Sequence, residues 1–149
     1  MVTALNVANN ILKRAFNQNV DVTPMKLQKL LYFVYKRYLQ TTGEPLFEEL
    51  FQTWRYGPVV ESVYVAFKEY GANHIDRLYE DERSQIWLAD EERSDAIRMA
   101  LDFVWSKYSE YNGIILSGYT HQPNTAWYKA IKRSGCTLEV GDIRKEEWF

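Results

Sequence analysis

The side chains best suited to chemistry are two histidines and one cysteine, and their spacing defines neither a catalytic site nor a metal site. His74 and His121 are 47 positions apart, without a second histidine or cysteine at the short spacing that zinc sites use. Cys136 and His121 are conceivable as a nucleophilic pair, but no neighbouring residues specify one. The sequence also lacks a glycine-rich phosphate loop, a GxSxG elbow and kinase motifs. It therefore predicts no catalytic residues, no metal and no cofactor, which favours a protein that is not an enzyme.

One loop groups short polar side chains beside an indole. Thr120, His121 and Asn124 surround Pro123, and Trp127 follows closely. Short polar groups between two helical segments usually satisfy helix ends, and His121 would then form a hydrogen bond within the fold. The alternative is a recognition pocket, because a capped loop can hold a polar pair beside an exposed indole. A small enzyme with a site centred on His121 is a further alternative.

The elements that position this loop are predicted to be helices, because apolar residues recur at helical spacing through most of the chain. The second helix has the clearest start, because Thr23 can cap it and Pro24 occupies the first helical position, where a missing N–H costs nothing. Its apolar groups cover so much of its circumference that we expect it to be central to the fold; the alternative is that it covers a partner. The predicted helices span residues 3–16, 24–41, 58–70, 92–111, 114–119 and 126–134, with a last turn at 143–148.

Two short segments are candidates for extended structure. Residues 51–54 are compatible with a strand, and the following Gly57-Pro58 pair suits a turn that leads into the third helix. Residues 72–92 have a weak pattern, which we interpret as a surface segment with a short strand at 86–88. The prediction is a mainly α protein, a compact single-domain helical fold of about five to six helices with a short β-strand pair, formed by residues 1–149.

Composition restricts the partners and the compartment. The net charge is -2 and the pI is about 5.7, without the basic face that tight nucleic-acid binding needs. No run of residues approaches the length of an apolar membrane span, and the start of the chain does not resemble a signal peptide. A lone Cys136 agrees with a reducing compartment. The sequence thus predicts a cytoplasmic protein that does not bind membranes and does not bind nucleic acid tightly.

Three sequence blocks resemble the Panacea antitoxin domain, a family also described as SocA-like or prophage-associated. They are TPMKLQKLLYFVY (23–35), GEPLFEELFQTWRYGPVVESVYVAFKEYG (43–71) and LSGYTHQPNTAW (116–127), in the order and spacing of the family. One departure lies in the third block, where relatives commonly place a proline directly before the tryptophan. The residues at motif positions are Leu27, Lys29, Leu30, Tyr32, Trp54, Gly57, Pro58, Thr120, His121 and Trp127.

The resemblance implies a compact α-rich domain that neutralises a cognate toxin, encoded beside it, by direct protein contact. Some relatives pass a toxin to a protease, so the alternative is a phage- or prophage-encoded proteolytic adaptor or host-interaction protein, with a host protease as a second partner. No agreed catalytic residues carry over from the family.

Aromatic residues make up 15% of the chain, and four of them are candidates for partner contact. Phe33 is one, because it lies on the lysine-bearing side of its helix, off both apolar stripes. Phe103 is similarly off its stripe, four residues from Met99. Trp54 and Tyr56 flank an arginine before the Gly-Pro turn, a combination that interface hot spots favour. The alternative is that short surrounding segments cover these four rings, Trp54 in particular.

Overall fold

The computed structural model describes all 149 residues and contains seven α-helices and one small sheet. This confirms the predicted mainly α fold with a short strand pair. The seventh helix occupies the C-terminal segment, where only a last turn was predicted. The elements are α1 (Ala4–Gln18), α2 (Pro24–Thr42), β1 (Gln52–Trp54), β2 (Gly57–Val59), α3 (Glu61–Phe67) with a 3-10 turn (Lys68–Tyr70), α4 (Asp95–Tyr108), α5 (Gly113–Thr120), α6 (Ala126–Lys132) and α7 (Val140–Lys145).

Helix α2 is the centre of the fold, because it contacts α1, α3, α4, α5, α7 and β2. The Thr23 side chain accepts a hydrogen bond from Lys26 N at 3.2 Å, Pro24 lies in the first turn, and Gly43 ends the helix with a φ of 80°. The predicted boundaries and centrality of this helix are therefore confirmed. Its burial extends around the whole circumference and includes three lysines, Lys26, Lys29 and Lys36.

The sheet is a single antiparallel hairpin. Gln52 pairs with Val59 and Trp54 with Gly57, and the backbone near Cys136 covers the free edge of β1, where Thr53 N donates to Cys136 O at 3.0 Å. Strand β2 overturns the prediction that the third helix begins at residue 58, since that helix begins at Glu61.

The late start of α3 has a side-chain cause. Val60 adopts extended backbone angles, and Gln28 on α2 binds both of its backbone groups, accepting from Val60 N at 3.0 Å and donating to Val60 O at 3.1 Å. The buried amide therefore fixes the segment as extended up to residue 60, although its apolar residues recur at helical spacing.

The predicted strand at 86–88 is wrong. No strand pairs with this segment, and its backbone groups bond instead to two buried asparagines of α1. Asn9 Nδ2 donates to Trp87 O at 3.1 Å, and Asn10 exchanges two hydrogen bonds with Ala89, at 2.8 and 3.0 Å. The side-chain amides of α1 thus form hydrogen bonds that a neighbouring strand would otherwise form.

The core is one cluster of 34 buried apolar residues that draws on every helix. Both histidines lie outside it, and His74 is exposed in the segment after the 3-10 turn. None of the helices is both long enough and apolar enough to cross a membrane.

Candidate functional site

The three sequence blocks meet where the hairpin packs on α2 and α5. Lys29 Nζ donates to Pro58 O at 2.9 Å, which ties α2 to the second strand. Gly57 has a φ of 119°, and a Cβ at this position would lie 2.6 Å from Thr120 Oγ1 and 2.8 Å from Lys29 Cε. Only glycine combines this backbone conformation with so close an approach. The turn therefore requires glycine, because the side chains of Lys29 and Thr120 leave no space for a Cβ atom.

The connection between α5 and α6 uses most of its polar groups inside the fold. Thr120 Oγ1 donates to Ser117 O at 2.7 Å, and Thr125 Oγ1 donates to Thr120 O at 2.8 Å. The Trp127 indole donates to Trp54 O at 2.8 Å, so its polar edge is occupied. The structure thus places this loop as a support for the hairpin, and Asn124 forms an exposed left-handed turn within it.

His121 lies at the junction of the loop and the hairpin. Its ring stacks on Trp127 with centroids 4.0 Å apart and an interplanar angle of 21°. Burial and the nearby charge of Lys29 lower the pKa of His121, against an opposing contribution from the Tyr56 backbone. The Nε2 atom has no hydrogen-bond partner within the protein. At neutral pH the histidine is consequently an uncharged group.

Lys29 is the most unusual charged residue of this region. It is 1% exposed, and burial lowers its pKa to about 7. No carboxylate lies within ion-pair distance of its ammonium group, whose single hydrogen-bond acceptor is Pro58 O. The hairpin therefore covers a lysine that the chain does not neutralise.

A cleft of about 370 Å³ opens between the first half of α2, the hairpin and α3, and we call it the hairpin cleft. Its walls are mostly apolar, and Lys29 and Arg55 are its only charged residues. Tyr56 and Tyr64 are 53% and 40% exposed, and Trp54 packs on Tyr64 with ring centroids 4.7 Å apart. The lining residues are Pro24, Met25, Leu27, Gln28, Lys29, Trp54, Arg55, Tyr56, Val59, Val63, Tyr64, Phe67 and Gly71.

A second, shallower hollow of about 600 Å³ continues from the hairpin cleft, since Met25 and Gly71 line both. It runs towards the start of α5, where Ile114 and Tyr111 are exposed. Its wall carries the carboxylates Asp21 and Glu110 as well as Lys26, whereas the charged residues of the hairpin cleft are both cations. The two hollows together form an extended surface on one side of α2.

The candidate contact residues do not form one surface. Trp54 and Tyr56 both line the hairpin cleft. Phe103 lies elsewhere, on α4, where the Arg37 guanidinium covers its ring at 3.8 Å and Trp148 packs on it at 5.2 Å. Met99, the predicted neighbour of Phe103, is 64% exposed.

The expectation that Phe33 lies outside the core is wrong. Its side chain is 1% exposed and stacks on Tyr108 with ring centroids 4.5 Å apart. Helix α4 and the C-terminal segment cover this side of α2, so the lysine-bearing face belongs to the interior. Unlike Lys29, Phe33 lines neither of the two hollows on α2, so the structure offers no opening through which a partner would reach its ring.

Two cleft residues escaped the sequence reasoning. Tyr64 lies at the helical spacing of Val63 and Phe67, a pattern that is typical of a core stripe, although its own side chain is partly exposed. Lys29 was identified as a motif position only. A signal for it existed in that motif, since a lysine inside an otherwise apolar helical stretch requires an acceptor elsewhere in the fold.

An open, mostly apolar cleft with an aromatic rim is the kind of surface at which proteins commonly bind a ligand or a partner. The chain matches the family described as antitoxin SocA-like, Panacea domain, over residues 27–128, and it belongs to this family. The matched range includes almost the whole hairpin cleft and ends before α7. An antitoxin is by definition paired with a toxin.

The chain is similar to the protein named Antitoxin SocA from Caulobacter vibrioides (strain NA1000 / CB15N), with 39% identity over 74 residues. The aligned part covers 50% of this chain and 39% of that protein, so the chain corresponds to much less than the full length of the relative. No solved structure matches the chain.

Proposed function

We propose that this protein neutralises a toxin by direct protein–protein binding, and that the toxin contacts the rim of the hairpin cleft. Membership of an antitoxin family supports the role, and the observation that carries the choice of surface is the grouping of Trp54, Arg55, Tyr56 and Tyr64 around one apolar cleft. Tryptophan, tyrosine and arginine are the residues that dominate binding energy at interfaces. In this proposal the protein is not an enzyme and acts in the cytoplasm.

The rim is held rigidly, which favours tight binding because little conformational entropy is lost on association. The Trp54 indole donates to Gln52 Oε1 at 2.7 Å, and its carbonyl accepts from Trp127. The hairpin itself is tied to α2 through Lys29 and to the segment after α6 through Thr53. A rigid platform with two exposed tyrosines can occlude an active surface without rearrangement.

The experiment is growth rescue and binding measured together, with the toxin encoded beside this gene. We expect the double variant Tyr56→Ala/Tyr64→Ala to keep its thermal melt, because both side chains are partly exposed. It should lose rescue and bind the toxin at least about thirtyfold more weakly, the equivalent of ~2 kcal/mol for a hot-spot pair.

The matched control is Trp87→Ala, which removes an exposed aromatic outside the cleft. It should leave rescue intact. A folded Tyr56→Ala/Tyr64→Ala protein that rescues growth normally would show that the toxin binds elsewhere. Toxin abundance should be followed in the same cells, because stable but inactive toxin is expected for occlusion, whereas falling toxin levels would indicate delivery to a protease.

A further inference from the structure

Two fully buried lysines on α2 have very different surroundings. Lys29 and Lys36 are seven residues apart, so they lie on one face of the helix, roughly 10 Å apart along its axis. Lys36 Nζ pairs with Glu146 Oε2 at 2.9 Å and lies 4.1 Å from the centre of the Trp148 ring. Lys29 has neither a carboxylate nor a ring in a cation–π contact at its ammonium group; Pro58 O is its hydrogen-bond acceptor, and the nearby titratable group is His121, which supplies no negative charge. One lysine is neutralised by the chain and the other is not.

An unpaired buried ammonium group is unfavourable, since it has lost its hydration without gaining a counterion. An ammonium group has three N–H donors, and Lys29 uses one of them within the protein. The lowered pKa of Lys29 is a consequence of the same imbalance. A carboxylate bound at Lys29 would supply the counterion and the hydrogen-bond acceptor that the fold does not provide.

The charge of the hairpin cleft is complementary to such a group. Its 13 lining residues include two cations, Lys29 and Arg55, and no carboxylate, although the net charge of the chain is negative. Arg55 is exposed and forms no ion pair, while its guanidinium lies over the Tyr56 ring at 5.5 Å. The remaining wall is mostly apolar, with the amide of Gln28 as its other polar side chain besides the tyrosine hydroxyls, and a volume of about 370 Å³ suits a small ligand-sized group rather than an extended chain.

We propose that the hairpin cleft binds a segment of the toxin in which a carboxylate lies beside an aromatic or large aliphatic side chain. The apolar side chain fills the cleft, and the carboxylate pairs with Arg55 at the rim and Lys29 in the wall. The C-terminal segment provides the internal precedent, because Glu146 and Trp148 together cover Lys36. This inference rests on the proposed function, since it names the chemistry of the toxin segment that the cleft recognises.

The first experiment uses phenylacetate as the probe and its neutral isostere phenylacetamide as the comparison. Binding is followed by NMR through the Trp54 indole N–H, at about pH 6, where Lys29 with its pKa near 7 is protonated. We expect saturable binding of phenylacetate, at least about fivefold tighter than phenylacetamide, the size of a modest charge-assisted contact. Equal binding of acid and amide, or no shift of the Trp54 signal, would overturn the inference.

Variants of the two cations test their roles separately. Arg55→Gln and Lys29→Met should each reduce the preference for the acid, whereas Lys13→Met, which removes an exposed lysine of α1 outside the cleft, should retain it. Arg55 is exposed, so its variant keeps the test valid if Lys29→Met fails to fold. An acid preference that survives in folded Arg55→Gln and Lys29→Met proteins would contradict the proposal.

The second experiment measures toxin affinity and separates this inference from the proposed function. Arg55→Glu should weaken binding at least about tenfold, with Lys13→Glu as the control for the same change of charge. Normal toxin binding by Arg55→Glu, together with loss in Tyr56→Ala/Tyr64→Ala, would overturn the acidic segment but retain the surface. Loss in neither variant would overturn both. Self-association that Arg55→Glu abolishes would identify a second copy as the occupant and would also overturn the inference.

Discussion

The two ends of α2 show opposite solutions for a buried lysine. At the C-terminal end, residues 140–149 fold over Lys36 and supply both a carboxylate and an aromatic ring. At the N-terminal end, Lys29 faces the hairpin and an open cleft without a counterion. The covering segment at the closed end lies outside the matched family range, whereas the hairpin lies within it. The chain supplies a counterion for Lys36 and none for Lys29, which in our proposal is the lysine that a partner neutralises.

The closed end is held by several independent contacts. Gln40 Nε2 donates to Glu146 O at 2.8 Å, and the Trp148 indole donates back to Gln40 Oε1 at 2.6 Å. Tyr108 donates to Phe149 O at 2.8 Å, while Glu146 Oε1 also accepts from Tyr32 OH. Each of these contacts joins the C-terminal segment to the helical core. The open end has no comparable cover beyond the hairpin turn.

The largest effect is expected from Glu146→Gln, which breaks the closed end. The amide retains an acceptor for the Tyr32 hydroxyl, but it leaves the buried ammonium group of Lys36 without a carboxylate. Burial lowers the pKa of Lys36 and Glu146 raises it, so the substitution removes the contribution that opposes the cost of burial. We expect the free energy of unfolding to fall by about 3 to 4 kcal/mol, measured by urea denaturation.

The double variant Lys36→Met/Glu146→Gln is the control for this prediction. Removing both charges should restore most of the stability, because no ion is then left buried without a partner. A double variant as unstable as Glu146→Gln would show that the carboxylate acts through its other hydrogen bonds, to Tyr32 and the Ala126 N–H. The contrast between the two ends of α2 would then lose its electrostatic basis.

The second effect concerns the hairpin turn at the open end. Gly57→Ala places a Cβ within 3 Å of both Thr120 and Lys29 and keeps a φ that L-residues rarely adopt. We expect a loss of about 2 to 3 kcal/mol in thermal or urea unfolding. Gly118→Ala is the matched control, because this helical position on α5 has open space and should gain a few tenths to about 1 kcal/mol. Equal stability of the two variants would contradict the close contact at Gly57.

The third effect is a pH dependence that belongs to the open end. The folded pKa of Lys29 is about 7, whereas an unfolded lysine has a pKa near ~10.4. Between these values the unfolded chain binds more protons, so the free energy of unfolding rises with pH as the burial penalty disappears. Relative to Lys29→Met, the native protein should therefore gain about 2 kcal/mol between about pH 7 and about pH 9.

Urea denaturation of both proteins across this pH range measures the difference, and Lys13→Met provides a lysine variant without a buried site. The difference between the native protein and Lys13→Met should not change with pH. A difference between the native protein and Lys29→Met that is also independent of pH would mean that Lys29 is charged at no cost. The inference that it awaits a carboxylate would then have no energetic support.

The sequence was sufficient for the parts of the fold that depend on local signals. Thr23 with Pro24 and the glycine at 43 predicted both ends of α2, because caps act within one turn of the helix. Trp54 and Tyr56 are candidates by residue type alone; the structure places both at one cleft, and their contact with a partner stays a prediction.

The parts that escaped prediction depend on distant residues. Phe33 was assigned to the surface because periodicity assumes a helix with one buried face, whereas α2 is covered all round. The start of α3 depends on Gln28, which lies 32 positions away from Val60. The lack of a counterion for Lys29 depends on which residues surround it in the folded chain, and residue spacing along the sequence does not predict that.

The smallest expected effect is that of Thr23→Ala, at the first turn of the open end. The hydroxyl accepts one hydrogen bond from Lys26 N, so its loss should cost about 1 kcal/mol and lower the melting temperature by roughly 3 °C. Thr23 does not line the hairpin cleft; Pro24 and Met25 of the turn that it caps do, whereas Lys29 lies beyond that turn. Phenylacetate affinity should therefore change by less than about twofold, because fraying of a first turn costs little where the rest of the helix is buried.

Thermal melts and the Trp54 NMR titration measure the two quantities on the same sample. An unchanged melt would show that the cap contributes nothing. A larger loss of affinity than of stability would show that the open end of α2 depends on its first turn for the shape of the cleft, unlike the closed end, which its own C-terminal segment holds in place.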